Sequence, residues 1–398
     1  PEAGALTDFY LWMSVGGALG GVFCALVAPV IFDWPFEHPL LLLAVALLVP
    51  AKPIGPLATR LFASPAPRIA AASLATAIAI WAVAATEALR SQGVLAMPPL
   101  AAIIAIVLIA LLAIGRRGLF GWAFLMLLMM FGGWQQLQTS LRTDDRVRSF
   151  FGVNTVAESQ REGLRLLMHG TTLHGVQSLD PARALRPTGY FAPQSGIGVA
   201  LAAVPQLFGP NAKVGLTGLG AGSLLCNGAA GQHWTIFEID QVVVDFARRR
   251  FTYLSDCPPG SDIIVGDARL AMQQQPPAAF DVLIIDAFAS DSIPLHLITR
   301  EALRVYGRAL RPGGMMMVHV SNRFLDVPPV VAATAAAEGW QIRFRNWRPV
   351  GPAPRGALHT SSHWALLART PADMARFLAA TRQPDGPATQ DDDAACGH

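Results

Sequence analysis

The run Val214-Gly-Leu-Thr-Gly-Leu-Gly-Ala-Gly222, with Phe237-Glu-Ile-Asp240 and Gly266-Asp-Ala-Arg269 after it, constrains this chain most. Its spacing predicts a strand, a glycine turn and a helix, then an acidic residue ending a second strand and an acidic turn after a third. That succession belongs to a parallel α/β sheet with a ligand crevice at the carboxyl ends of its strands. Gly218, Gly220 and Gly222 let backbone approach a ligand, and Glu238 stands at the spacing from Gly218 that suits a ribose diol. Ser223 occupies the position where a dinucleotide fingerprint has its third glycine. The shorter turn suits an adenosine-bearing cofactor without a pyrophosphate, and S-adenosylmethionine or decarboxylated S-adenosylmethionine is the natural candidate.

The first third of the chain has another texture. A composition of 53% hydrophobic and 14% charged residues is too apolar for a wholly soluble protein, and the apolar excess lies before about residue 137. Leu11 to Phe32 is an uncharged run of about the length that crosses a bilayer, and Gly16-Gly-Ala-Leu-Gly-Gly21 gives it a small-residue face. Ile69 to Ala85, Val94 to Ile114 and Leu119 to Trp134 are three more such runs, and Pro39 to Pro50 is a shorter one. These runs are apolar all round, which disfavours a soluble bundle. A transmembrane helical block of four to five spans over 1–137 is expected, in the inner membrane of a bacterium.

Lys52, Arg60, Arg68, Arg116 and Arg117 favour the cytoplasmic side for their loops. With five crossings that puts the rest of the chain outside, whereas an adenosylmethionine-type cofactor is made inside cells. The expectation adopted is a cytoplasmic later domain, and the two arguments conflict. Those spans hold no charged residue, which favours anchorage over ion-coupled transport. Net charge is +3 with scattered arginines and no basic stripe, so nucleic acid is not an expected partner. Cys24, Cys226, Cys257 and Cys396 lack disulfide or metal spacing, so free or packed thiols and no metal site are expected. A chain that opens on Pro1, with no basic leader region, is expected to be a piece of something longer.

Residues 138–200 form a polar junction and a small β unit, with short strands around Asn154, Leu164 to His169 and Thr171 to Gln177. Helices and strands then alternate over 201–380, including a helix from Ala221 to Ala229, and imply a mostly parallel sheet. Residues 381–398, with Asp391-Asp-Asp393, are expected to form a disordered tail. Asp240 suits a helix N-cap. Asp286 either faces the cleft or caps the turn that follows, and Asp291 either meets substrate or caps a short helix. His169, His174 and His296 are expected to pack or hydrogen-bond. His319, Ser321 and Asn322 end a core strand near the cleft, and no nucleophile elbow supports a Ser–His–acid triad.

The later half resembles the spermidine synthase family, the polyamine aminopropyltransferases, and in particular its membrane-fused bacterial members. The resemblance spans roughly Phe151 to Arg369. It rests on His169-Gly-Thr-Thr-Leu-His-Gly-Val-Gln177, Gly218-Leu-Gly-Ala-Gly222, Glu238-Ile-Asp240, Gly266-Asp-Ala-Arg269, Asp286-Ala-Phe-Ala-Ser-Asp-Ser-Ile-Pro-Leu-His296 and His319-Val-Ser-Asn322. It implies a small β unit before a Rossmann-like sheet of the class I methyltransferase/spermidine synthase type, and a role in polyamine biosynthesis. Gly218, Gly220 and Gly222 would then surround the cofactor, with Glu238 on the ribose and Asp267 and Ala268 at the adenine. Gln177 would lie along the cofactor and substrate cleft, Asp286 and Asp291 would be the catalytic carboxylates, and Tyr190 and Asp291 would meet a small amine such as putrescine. A homo-oligomer is also implied.

Two departures from the family pattern concern the acceptor side. The second aspartate, Asp291, lies five residues after Asp286 rather than in an Asp-x-x-Asp-Pro segment, and the glycine turn lacks an acidic residue. The expected reaction is displacement of a thioether from a sulfonium by a neutral amine. An S-adenosylmethionine-dependent methyltransferase is the alternative. It must accommodate a methionine carboxylate, and Lys213 is the one basic side chain beside the turn. A non-catalytic nucleoside sensor or transport-associated protein is a third reading.

Overall fold

The computed structural model describes residues 5–48, 52–53, 55–91, 97–142, 145–287, 294–322 and 324–381. The chain divides into two compact units, residues 1–150 and 151–398.

In the first unit three helices are long and apolar enough to cross a membrane: Leu6–Ile31, Pro65–Arg90 and Arg117–Leu141. The third bends within Met129–Gly133, where Gly132 takes φ 110°. Glu37–Leu48 and Leu100–Leu112 are apolar but shorter. The run expected as a span from Val94 therefore supplies only a 13-residue helix among the described residues. Small side chains at helical spacing let these helices pack. Ala75, Ala79 and Ala82 meet Ala102, Ile106 and Ala110, with Ala123, Met126 and Met130 completing the cluster. At the end of the unit, β1 (Arg146–Ser149) sends two arginines to acids near the first helix. Arg146 Nε lies 2.9 Å from Asp33 Oδ2, and Arg148 grips Glu37 with two bonds of 2.9 and 2.8 Å.

The second unit opens with an antiparallel meander of β2 (Gly152–Ser159), β3 (Leu164–His169) and β4 (Thr172–Ser178). Seven strands follow: β5 (Lys213–Thr217), β6 (His233–Glu238), β7 (Gly260–Val265), β8 (Phe280–Ile285), β9 (Leu310–His319), β10 (Gln341–Trp347) and β11 (Ser362–Ala368). Their order in the sheet is β10-β11-β9-β8-β5-β6-β7. β9, β8, β5, β6 and β7 run parallel, and β11 runs antiparallel to both of its neighbours, β9 and β10. This is the expected class I methyltransferase and spermidine-synthase-like fold, with a mostly parallel sheet.

Period-two alternation in β8 shows why the sheet is covered on both faces. Val282 and Ile284 enter one core with Ile197, Leu201 and Trp234, while Leu283 and Ile285 enter the other with Leu303, Tyr306 and Met272. Between β5 and its neighbours β6 and β8 the connections leave in opposite directions, and a crevice opens there at the carboxyl ends.

Two expectations are corrected. The helix expected from Ala221 to Ala229 is a short 3-10 segment, Ser223–Asn227. Gly222 precedes it in a left-handed conformation and Gly228 stops it, so no full helix points at the crevice. Cys226 and Cys257 are joined as a disulfide rather than free. They lie 31 residues apart in sequence, and the fold brings their Cα atoms to 4.9 Å. Cys24 is a free thiol, and Cys396 lies outside the described residues.

Candidate functional site

The first turn of the crevice is shaped by contacts that exclude side chains. Gly218 adopts φ +86°, and a Cβ there would collide with the Asp286 carbonyl oxygen. Gly220 adopts φ +54°, and a Cβ there would strike the His174 carbonyl oxygen. The turn is thus wedged between the ends of β8 and β4, and only glycine fits both places.

The carboxylate closing β6 organises the adjoining backbone. Glu238 Oε2 accepts the Leu219 N–H at 2.8 Å and Oε1 accepts the Asp240 N–H at 3.0 Å. Burial pushes its pKa up, and those N–H groups oppose the rise. Each oxygen keeps a further lone pair for a ligand hydroxyl. Asp240 caps the next helix by accepting the Val242 N–H at 2.9 Å, as its position predicts, and also accepts from Asn154 Nδ2. Asp267 caps its own helix through Leu270 N, and its second oxygen lies 2.9 Å from His296 Nε2. Glu238, Asp267, Ala268 and Ile239 line a cavity of about 280 Å³.

Asp286 follows β8, its N–H held by the Thr217 carbonyl at 3.0 Å. Its Oδ1 lies 2.6 Å from His319 Nδ1, and His319 Nε2 lies 2.8 Å from Ser321 Oγ. Burial raises the Asp286 pKa, and the imidazole pulls it back down. Tyr190, His319, Ser321 and Asn322 line a second cavity of about 490 Å³. His174, Gly218, Gly220 and Asp286 line both cavities. Asp286 therefore stands where the two chambers meet.

The fold brings together Gly218, Gly220, Glu238, Asp267, Ala268, Asp286 and Tyr190. Gln177 is buried and lines neither cavity; its Nε2 donates to Thr252 Oγ1 at 2.9 Å. Gly222 also lines neither and begins the 3-10 segment. Asp291 lies outside the described residues. The Ser–His–acid chain that the sequence did not support is present, built by the His-x-Ser end of β9 meeting the acid that follows β8. The carboxyl-end rule was the signal available for it. No group of three or more His, Cys, Asp or Glu suited to a metal occurs among the described residues.

The site thus consists of two chambers that share His174, Gly218, Gly220 and Asp286, with the Asp286–His319 pair beside the larger one. No family model matches the chain. Over 124 residues it is 32% identical to the polyamine aminopropyltransferase of Vibrio vulnificus (strain CMCP6), a match covering 30% of this chain and 40% of that one. Over 94 residues it is 29% identical to putrescine N-methyltransferase 3 of Nicotiana tabacum, covering 23% of this chain and 25% of that one. The chain thus spans less than half the length of these curated relatives. Among solved structures, a probable spermidine synthase from Corynebacterium glutamicum ATCC 13032 aligns with TM-score 0.45 and 17% identity, covering 59% of this chain and 85% of that one. The similarity to spermidine synthases and to related transferases expected from the motifs is therefore found, over part of the chain.

Proposed function

We propose that the chain is a membrane-anchored transferase that moves an aminopropyl group from decarboxylated S-adenosylmethionine to a small amine, as in polyamine biosynthesis. The observation that carries this reading is that Asp286 lines both chambers. Donor and acceptor held in separate chambers would meet at the seam lined by His174, Gly218, Gly220 and Asp286, where Asp286 is the acidic residue. Glu238 would hold the donor's ribose hydroxyls and Asp267 the adenine amino group, with Ala268 against the ring. Gly218 and Gly220 would let the sulfonium lie against backbone. Tyr190 would contact the acceptor.

The lining of the larger chamber favours the decarboxylated donor over the intact one. Among the described residues it contains no lysine or arginine to pair with a methionine carboxylate. An aminopropyl ammonium instead finds Asp286. The supporting relatives divide on the transferred group, one named for aminopropyl transfer and one for methyl transfer. The proposal includes a lipid bilayer around the first unit, the second unit on the cytoplasmic side where the donor is made, and a homo-oligomer.

The test is to incubate the purified full-length chain with each donor and a panel of mono- and diamines, following the thioether by mass spectrometry. Methylthioadenosine formed only with an amine is expected. Adenosylhomocysteine would replace this reading with methyl transfer, and binding without either product would leave a nucleoside sensor.

A further inference from the structure

β9 ends in His319, whose two ring nitrogens face two different side chains. Nδ1 lies 2.6 Å from Asp286 Oδ1, and Nε2 lies 2.8 Å from Ser321 Oγ. The Ser321 oxygen already accepts the His363 backbone N–H at 2.7 Å. An ionised Asp286 can only accept, so Nδ1 carries the proton directed at it, and in the neutral ring Nε2 is left to accept the Ser321 hydroxyl proton. The ring stacks on Trp364, its partner in the β9–β11 pairing, with centroids 4.5 Å apart, and on Tyr190 at 5.5 Å. These aromatic neighbours fix the plane of the imidazole. The titratable groups facing it are Asp286 from the end of β8 and Tyr190 from the turn Gly189–Phe191. β11 contributes the Trp364 ring.

We propose that Asp286, His319 and Ser321 form a proton relay in which His319 receives the proton that the acceptor amine must lose. The inference rests on the transfer reading above. An aliphatic amine reaches the site as an ammonium and has no lone pair to attack with. It gives a proton to Ser321 Oγ as the Ser321 hydroxyl proton passes to Nε2, leaving an imidazolium paired with the Asp286 carboxylate. The freed lone pair attacks the methylene carbon beside the sulfonium. The C–N bond forms, the C–S bond breaks, and its electron pair stays on sulfur as a neutral thioether. The product nitrogen carries the positive charge that sulfur gave up, and His319 returns its proton to water as product leaves. An imidazole suits this proton near neutrality better than a lone carboxylate. Ser321 and His319 both line the larger chamber, so the relay opens onto the acceptor.

The test measures kcat and KM against pH for the full-length chain, H319Q and S321A, following the thioether product. H319Q should lower kcat by about 10²–10⁴-fold and flatten the acid side of the profile, with donor KM little changed. S321A, in which a water can carry the proton to Nε2, should retain the acid limb and lose less kcat than H319Q. Wild-type kcat in H319Q, or a loss with the acid limb unmoved, overturns the relay. His319→Asn serves the same purpose if the glutamine variant does not fold. If the wild-type chain yields no thioether with any amine, the transfer reading fails, and 15N-histidine spectra still judge the relay. Their assignment comes from the histidine-replaced variant. A neutral ring protonated at Nδ1 is expected, and one protonated at Nε2 overturns it.

Discussion

Glu238 does two things with one carboxylate, and they separate in a mutant. It clamps Leu219 of the glycine turn to Asp240 beyond β6, and it faces the smaller chamber. Glu238→Gln keeps the shape but loses the charge-assisted bonds, so donor affinity should fall by about 1.5–3 kcal/mol, roughly 10- to 150-fold. Equilibrium binding of a sulfonium nucleoside checks this. Burial raises the pKa of Glu238, so the folded chain takes up its proton at higher pH than the unfolded one does. Its contribution to stability therefore rises as pH falls from neutrality toward the ordinary carboxylate range near 4.5, while donor affinity declines over the same window. Denaturant titrations at two pH values should show this slope in the wild type and its loss in Glu238→Gln. For Asp286→Asn, donor binding should weaken through loss of the aminopropyl contact but remain measurable through Glu238, while kcat drops by about 10²–10⁴-fold, read by product formation at saturating donor.

At the scale of elements, the glycine turn and the disulfide hold the same corner. Gly218→Ala adds a Cβ against the Asp286 carbonyl oxygen at a backbone angle that suits glycine alone. It should cost about 1–3 kcal/mol in stability and abolish donor binding, as seen by thermal shift with and without nucleoside. The motif residues Gly218, Glu238, Asp267 and Asp286 were legible because each ends a strand whose position follows from alternation of helix and strand. The Gln177 side chain is held by Thr252, a tertiary contact no local spacing reveals. The pairing of Asp286 with His319 stayed hidden for a related reason. It depends on β8 and β9 being neighbours, which the topology provides and the linear order does not. The Ser223–Asn227 segment is short because glycines flank it, although its composition resembles a helix.

Over the whole molecule, composition separated an apolar block from an α/β unit, and among the described residues three helices in that block are long and apolar enough to cross a membrane. Apolar runs mark hydrophobic segments, but where each helix begins and ends depends on prolines, glycines and packing. The three long helices predict that the full chain stays in the membrane pellet after carbonate washing at high pH. Release into the supernatant would contradict this. The Cys226–Cys257 bridge closes a loop of about 30 residues, for which loop-closure entropy gives about 3–4 kcal/mol of stabilisation. Reduction should therefore lower the midpoint of thermal unfolding by several degrees. The bridge also records residence. Thiol-rich cytosol keeps such pairs open and an oxidising lumen or periplasm seals them, so trapping living cells with a maleimide mass tag reads out the compartment of the second unit: the cytoplasmic placement proposed above expects tagged thiols, and a sealed pair contradicts it.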